Sequence, residues 1–291
     1  MITLSGEAST MSGRISPSFR RRRLGRRLQQ LRERSGLSLD EAAPRLEKTR
    51  SSLHRIEKGE TRADVHLIKS MMDLYDHFDP ELLALARDAA KQGWWRQFGP
   101  DGQGYVGAET EAAAVLEFGG LNTPGLLQTE DYARAILSVG PRKTEERLHN
   151  DVTVRMIRQQ RLTDREHSLR LTAIVDEAAL HREVGSREVM RSQLRHLVEA
   201  AELPTVTLQV LPLRSGAHDS MTGGFIVLTF PDEEEADLLY ISHVAGSLHV
   251  ENPEQLHTAK LTFNRLRSQA LPPSDSAALI LRLAEERFGS S

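Results

Sequence analysis

A short basic stretch, residues 48–55, carries the side chains whose types and spacing are best suited to binding chemistry. Arginine and lysine donate hydrogen bonds to phosphate oxygens and to guanine edges, and hydroxyl groups and imidazoles also bond to DNA. If this stretch is a helix, residues four apart share a face. We therefore predict a DNA contact made by Lys48, Thr49, Arg50, Ser51, His54 and Arg55. Residue types alone leave open whether Arg50 and Arg55 meet phosphate or guanine.

Five short helical patterns in the first third of the chain would position these side chains. Leucines recur at i, i+4 and i+7 in the first helix, and Gly36 is placed to end it. Ser38 begins a capping-box pattern for the second helix, and Thr49 can cap the third. Two further patterns follow, at about 64–75 and from Pro80. The second and third helices form a helix-turn-helix, in which the later helix lies in the DNA major groove.

The stretch from Leu24 to Tyr75 resembles the Xre-type, lambda-repressor-like helix-turn-helix domain. The pattern Ser/Thr-x-x-x-Leu-x-x-x-Glu-x-Gly is present here as Thr49, Leu53, Glu57 and Gly59. The resemblance implies a DNA-binding regulator. A degenerate domain kept only for protein contacts is the alternative, and the basic charge of the segment argues against it.

Two residues in the second helix depart from the family pattern. Many members begin this helix with a glutamine that binds phosphate, whereas Leu39 or Asp40 occupies that place here. Pro44 lies inside the same helix, where a proline lacks the amide proton and clashes with the preceding turn. These departures predict a short or kinked second helix and leave its phosphate contacts undecided.

The charge of the chain is unevenly distributed. Residues 1–62 hold 15 basic and 7 acidic side chains, whereas the remainder holds 23 basic and 34 acidic ones. Such asymmetry points to a nucleic-acid contact on the basic part. An arginine run adds Arg22, Arg23, Arg26 and Arg27 to the candidate DNA-binding residues. The run is either a solvated helix start that strengthens non-specific attraction or an arm that reaches the minor groove.

The rest of the chain reads as an α+β domain. Helices are predicted at about 108–118, 144–164, 254–270 and 274–288, with further ones through Tyr132 and after Ser186. Strands are predicted at Leu169–Val175, Thr205–Leu211, Phe225–Phe230, Leu238–Ser242 and Leu248–Glu251. The predicted organisation is a disordered arm over 1–18, an α-helical lambda-repressor-like helix-turn-helix domain over 19–92, and an α+β regulatory and dimerisation domain over 93–291.

This second domain also resembles a known one, the C-terminal domain of unknown function that accompanies Xre-type regulators in actinobacteria. Its most specific motif is the string PGLLQT-x-x-YA-R-A, from Pro124 to Ala135. The resemblance extends over most of residues 94–288. It implies an antitoxin-like or developmental regulator that is often paired with a small protein.

No catalytic motif emerges from the sequence. We find no phosphate-binding loop, dinucleotide fingerprint, zinc-binding H-E-x-x-H or G-x-S-x-G elbow, and the chain has no cysteine. His243 and His249 are separated by a predicted turn at Gly246, so we expect no metal site and no cofactor. Asp176, Glu177 and Arg182 are of types suited to acid-base chemistry, but we interpret them as helix capping and a surface ion pair, and 232–235 as a solvated hairpin turn. The expectation is a protein that is not an enzyme.

A ligand or partner pocket is the remaining hypothesis for the second domain. The glycine-rich connection over 211–224 is longer than a hairpin needs, and long loops of this kind are often functional. The alternatives are a loop that closes the domain core or makes a dimer contact, and tryptophans that anchor a linker. The candidate residues are Trp94, Trp95, Pro124, Gly125, Gln128, Tyr132 and His218.

The expected partners follow from the helix-turn-helix. We predict a homodimer on a palindromic operator in double-stranded DNA, with a small partner protein or a small-molecule effector as a further ligand. No apolar run is long enough for a membrane span, and the predicted location is the cytoplasm, on the nucleoid. The alternative function is an antitoxin-like module that sequesters a small partner protein, with DNA binding secondary.

Overall fold

The computed structural model describes residues 19–91, 93–99, 103–139, 143–231 and 235–289. The chain divides between Trp94 and Trp95 into two compact units. The predicted arm over 1–18 and most of the predicted turn at 232–235 lie outside the described residues, although Glu235 itself is described and buried. The interpretation of that last residue as solvated was therefore wrong. None of the helices in the described ranges is both long and apolar enough to span a membrane.

The first unit contains five helices in the described residues. They are α1 (Phe19–Arg34), α2 (Leu39–Arg45), α3 (Arg50–Glu57), α4 (Val65–Leu74) and α5 (Pro80–Ala90). Their apolar faces meet in one core, which includes Leu28, Leu53, Ile68, Met71 and Leu82. The predicted α-helical fold of this region is confirmed.

The predicted start and stop signals act as expected in this unit. The side chains of Ser38 and Glu41 form both hydrogen bonds of a capping box at the start of α2. Gly36 adopts a φ of 74° after α1, a left-handed conformation that costs glycine little. Pro44 is the penultimate residue of α2, and that helix has seven residues. The prediction of a short second helix is therefore confirmed.

The second unit is built on a mixed six-stranded sheet. Its strands are β1 (Ala114–Gly119), β2 (Arg170–Asp176), β3 (Val206–Leu211), β4 (Phe225–Thr229), β5 (Leu238–His243) and β6 (Gly246–Val250). They lie in the order β3-β2-β1-β4-β5-β6. The first three strands are parallel, and β4, β5 and β6 pair antiparallel. The described residues therefore confirm an α+β domain.

Helices connect and cover these strands. They are α6 (Gln103–Glu111), α7 (Glu130–Ser138), α8 (Glu145–Gln159), α9 (Glu177–His181), α10 (Arg187–Ala201), α11 (Pro253–Gln269) and α12 (Pro273–Glu286). Phe118 and Ile174 from the sheet pack against Phe263 and Leu266 of α11. This packing buries one face of the sheet beneath a helix.

One predicted helix, 108–118, was wrong. In the structure α6 ends at Glu111, and residues 114–119 form β1. This strand lies between β2 and β4 and pairs with both. Hydrogen bonding on both edges and burial of Val115 and Phe118 outweigh the helical propensity of the local sequence.

Candidate nucleic-acid interface

The helix α3 presents its polar residues to solvent and its apolar residues to the core. Leu53 and Ile56 are buried. The Thr49 side chain caps the helix and accepts a hydrogen bond from the Ser52 amide at 3.1 Å. The predicted contact residues on and before this helix are all exposed, namely Lys48, Thr49, Arg50, Ser51, His54 and Arg55. Their side chains can therefore reach a nucleic acid without any rearrangement of the core.

A buried ion pair fixes α3 against α1. Arg32 donates from Nε to Glu57 Oε1 at 2.7 Å and from Nη2 to Oε2 at 2.9 Å, and its Nη1 bonds to the Leu37 carbonyl. The hydrogen bond to Glu57 raises the pKa of Arg32. Burial, together with the Glu57 charge, raises the pKa of Tyr75 to about 12. The Glu57 carboxylate is therefore a structural group beneath the exposed face of α3.

The same two helices approach each other closely at glycines. A Cβ atom on Gly25 of α1 would lie 2.4 Å from the Glu57 carbonyl oxygen, and one on Gly59 would lie 2.7 Å from the Arg22 Cα. Gly59 also has a φ of 68°, which favours glycine. Backbone contact between α1 and the end of α3 thus depends on both glycines.

An acidic residue of α2 lies beside the basic face of α3. Arg50 Nε is 3.2 Å from Asp40 Oδ1, and both side chains are largely exposed. Asp40 lies in the first turn of α2. Its negative charge would oppose a phosphate at that point, and its ion pair occupies one of the candidate contact residues.

Some arginines of the predicted run make contacts within the first unit. Arg27 lies 3.4 Å from Asp79 and 3.6 Å from Glu81, at the start of α5. The Arg22 guanidinium lies over the Phe19 ring at 5.9 Å. Arg23 and Arg26 are partly buried. These four arginines of α1 are therefore less exposed than Arg50 and Arg55 of α3, and Arg27 is held by carboxylates of its own unit.

In the second unit, the predicted PGLLQT residues are mostly buried rather than displayed. Pro124, Gln128 and Tyr132 are buried, and Gly125 is partly buried. Gln128 donates to the Thr123 carbonyl at 2.7 Å and accepts from Arg155 Nη1 at 2.6 Å. These bonds make the motif a tightly packed turn between β1 and α7.

Neighbouring helices hold this turn on both sides. Gln159 of α8 donates to the Gln128 carbonyl at 2.7 Å. Gln193 of α10 donates to the Leu127 carbonyl and accepts from the Thr129 amide, each at 2.7 Å. The motif therefore joins two helices to the end of the central strand.

The remaining candidate residues lie in two separate places. Trp94 and Trp95 are partly buried in a short 3-10 helix, and Trp95 lines a cleft together with Arg155. His218 does not line that cleft. Its Nε2 lies 3.3 Å from Asp176 Oδ2, and its ring packs edge-on against Phe118. Trp95 lines this cleft, whereas Pro124, Gly125, Gln128, Tyr132 and His218 do not, so the described residues do not group the tryptophans, the PGLLQT turn and the 211–224 loop around one pocket.

The loop over 211–224 is tied to the end of β2. The Leu213 amide donates to Glu177 at 2.8 Å, and Asp176, besides its contact with His218, caps α9 by accepting from the Ala178 amide. The predicted capping role of Asp176 is confirmed. These contacts match the alternative interpretation of the loop, in which it closes the domain.

A buried polar network on α6 and α8 was not anticipated from the sequence. Arg158 makes two hydrogen bonds of 2.6 Å to Glu109, and Tyr105 donates to the same carboxylate at 2.7 Å. Burial opposes the charge of Arg158, yet Glu109 raises its pKa above the ordinary value. Burial raises the pKa of Glu117, on β1, to about 7. The available signal was the three-residue spacing of Arg155, Arg158 and Arg161, of which the first two lie on α8 and the third follows just after it.

No group of three or more histidine and acidic side chains in the described residues could hold a metal ion. His243 and His249 lie on β5 and β6, and the turn between these strands is formed by Val244 and Ala245, immediately before the predicted position Gly246.

Comparison with known proteins provides independent information on both units. Residues 103–282 match the family described as a domain of unknown function, DUF5753. Residues 23–86 match a family described as a helix-turn-helix domain. A search of the curated proteins gave no match, and a search of the solved structures gave none either. Because the first match covers more than half of the 291 residues, the chain belongs to the DUF5753 family, and it carries the helix-turn-helix domain of a DNA-binding regulator.

Proposed function

We propose that this chain is a sequence-specific transcriptional regulator that binds a palindromic operator as a homodimer. In this proposal residues 19–92 bind DNA, and residues 93–291 dimerise and sense a ligand or a small partner protein. The observation that carries it is the exposed polar face of α3, where Arg50, Ser51, His54 and Arg55 stand above a buried Leu53 and Ile56. A recognition helix needs this separation of faces.

The geometry at the start of α3 supports direct contact with DNA. The Thr49 side chain caps one backbone amide, and the other amides of the first turn carry the partial positive charge of the helix N-terminus. Lys48 precedes the cap, so a phosphate there would meet both a cation and amide donors. Arg50 and Arg55 would then lie where base edges or phosphates of the major groove are reached.

A homodimer is expected because helix-turn-helix proteins bind two half-sites one helical turn apart. The edge strand β6 supports a contact through the second unit, since Leu248 is exposed there and Val244 is fully exposed in the adjoining turn. Light scattering should give twice the chain mass at micromolar concentration. A monomer mass under those conditions would argue against the dimer.

The experiment for operator recognition is selection of bound fragments from a genomic DNA library. The Arg50→Ala/Arg55→Ala variant is compared with the original chain and with a control, Lys69→Ala/Arg87→Ala, which removes the same charge from exposed positions on α4 and α5. A palindromic motif that is lost only in the first variant would support the proposal. Weak recovery without a motif in all three samples would refute it and favour an antitoxin-like module that mainly binds a partner protein.

A further inference from the structure

A cleft of about 230 Å³ opens in the second unit between the Trp95–Phe98 segment, α6, α8 and β5. Its walls combine aromatic rings with arginines, which is the usual make-up of a small-ligand site: a mostly apolar lining with a few placed polar groups. The aromatic residues are Trp95, Phe98, Tyr105 and Tyr240, and the charged residues are Arg147, Asp151, Arg155 and Arg158.

Within the described residues, three of the four charged side chains that line the cleft form ion pairs. Arg158 is neutralised by Glu109, and Arg147 Nε lies 3.2 Å from Asp151. Arg155 differs, because in the described part of the chain its hydrogen bond goes to the neutral side-chain oxygen of Gln128 and it forms no ion pair with a carboxylate. Within the described residues, Arg155 is therefore a cation of the cleft that forms no ion pair with a carboxylate, although the charge of buried Glu117 attracts it.

The neighbouring Glu117 carboxyl offsets the positive charge of Arg155 only in part. The nearby carboxyl of Glu117 has its pKa raised by burial to about 7, and it accepts a hydrogen bond from the Gly125 amide. Burial, followed by repulsion from Arg158, lowers the pKa of Arg155 itself to about 10. The repulsion from Arg158 has the sign expected where a bound anion would relieve an excess of positive charge, whereas the raised pKa of Glu117 reflects its burial.

The aromatic residues of the cleft are held in place by contacts with one another and with neighbouring residues. Tyr240 packs against Tyr105 with ring centroids 4.4 Å apart and against His249 at 5.2 Å. Arg158 lies over the Tyr105 ring at 5.0 Å. Trp95 lies directly on Gly107 of α6, where a Cβ atom would come within 2.9 Å of the indole. Rings fixed in this way offer apolar surface at little cost in conformational entropy.

We propose that this cleft binds a small planar organic anion, whose carboxylate or phosphate group pairs with Arg155 while its ring packs against Trp95 and Tyr240. The inference deepens the sensing role proposed above. It does not depend on DNA binding, which the operator selection measures separately, so either proposal can fail while the other stands.

The test uses the full chain and the fluorescence of Trp95. The chain has two tryptophans, so Trp94→Phe leaves Trp95 as the single reporter. This variant is titrated with benzoate, with phenyl phosphate and with the neutral benzamide. We expect both anions to change Trp95 emission with a Kd on the order of 1 mM, as suits ligands of about ten heavy atoms, and benzamide to bind at least about tenfold more weakly.

Substitutions in the same background identify the groups involved. Arg155→Gln should weaken binding of both anions by about tenfold or more, whereas Arg214→Gln, an equal charge change at an exposed residue outside the cleft, should leave the Kd unchanged. Arg155 also donates a hydrogen bond to Gln128, so its replacement removes a structural contact as well as a charge. A second variant therefore tests the cleft without removing that hydrogen bond. Tyr240→Leu leaves that hydrogen bond in place and should weaken binding by about two- to tenfold through loss of ring contact.

Three results would overturn the proposal. They are an unchanged Trp95 emission with both anions up to about ten times the expected Kd, an equal response to benzamide, and unaltered anion binding in a folded Arg155→Gln protein. Selective anion binding that depends on both Arg155 and Tyr240 would support it.

Discussion

Replacing Glu57 by Gln should destabilise the helix-turn-helix unit far more than replacing Asp40 by Asn. Both changes remove one carboxylate from beside an arginine, but the two ion pairs differ in burial. The Arg32 and Glu57 side chains are 8% and 2% exposed, whereas those of Arg50 and Asp40 are 66% and 73% exposed. The comparison therefore isolates the effect of burial on one type of interaction.

The expected magnitudes follow from that difference. The Glu57→Gln protein keeps a guanidinium in the core without its counter-charge, which should lower the free energy of unfolding by about 3–5 kcal/mol. The Asp40→Asn change should cost about 1 kcal/mol or less, because water screens the exposed pair. Replacing Arg32 and Glu57 together by Met removes both buried charges. The free energy of unfolding of that protein should lie within about 1 kcal/mol of the original value. The remaining loss arises because the Leu37 carbonyl no longer has its hydrogen-bond donor.

Hydrogen exchange measured by mass spectrometry is the suitable assay, since it reports the free energy of opening region by region in a chain of two units. Peptides covering the leucines of α1 and the buried residues of α3 should lose protection in the Glu57→Gln protein, while peptides from β1 and β2 serve as an internal control. A loss no larger than that of Asp40→Asn would refute the reasoning. So would a double Met protein as unstable as the single variant.

Three further predictions concern other sites. Asp40→Asn should tighten operator binding by about two- to tenfold, because it frees Arg50 and removes a charge that repels phosphate. A fluorescence anisotropy titration measures this, and unchanged or weaker binding would contradict it. Gly25→Ala should destabilise the first unit by about 1–3 kcal/mol in thermal unfolding, since the new Cβ meets the Glu57 carbonyl oxygen, and a neutral effect would show that the helices can separate freely. Glu117 has a raised pKa of about 7, so its contribution to stability is greatest below about pH 4.5 and is lost as pH rises to 7 and above. As the pH rises across that range, the free energy of unfolding of the Glu117→Gln protein, measured with urea, should increase by up to about 3 kcal/mol relative to that of the original chain. A difference between the two proteins that is independent of pH would exclude this cause.

Much of the first unit is predictable from local sequence signals. Ser38, Glu41 and Thr49 are capping residues whose hydrogen bonds reach only a few positions along the chain, so their pattern is visible in the sequence. The Arg32–Glu57 pair is different, because its partners lie 25 residues apart and meet only when α1 and α3 pack. An arginine next to an apolar helix face in a sequence does not reveal whether a carboxylate will be brought to it.

The second unit shows where local propensity fails. Residues 112–118 include Ala, Leu and Glu, which favour helices, and they predicted a helix. The strand β1 forms there because β2 and β4 supply hydrogen-bonding partners on both sides, which are distant in sequence. Glu117 consequently lies within a central strand. Its burial and its raised pKa are products of the sheet topology and have no local signature.

Both units use a buried arginine–carboxylate pair to orient the helix that presents the candidate binding groups. Arg32–Glu57 joins α1 to α3, and Arg158–Glu109 joins α8 to α6. Apolar side chains of similar volume would give comparable stability, because desolvation offsets most of the attraction within a buried pair. The geometry of two parallel hydrogen bonds, however, restricts how one helix can rotate against the other. In the first unit this restriction keeps Arg50 and Arg55 on the exposed face. In the second unit it neutralises Arg158 within the protein, whereas Arg155, one turn earlier on α8, lines the same cleft without an ion pair in the described residues.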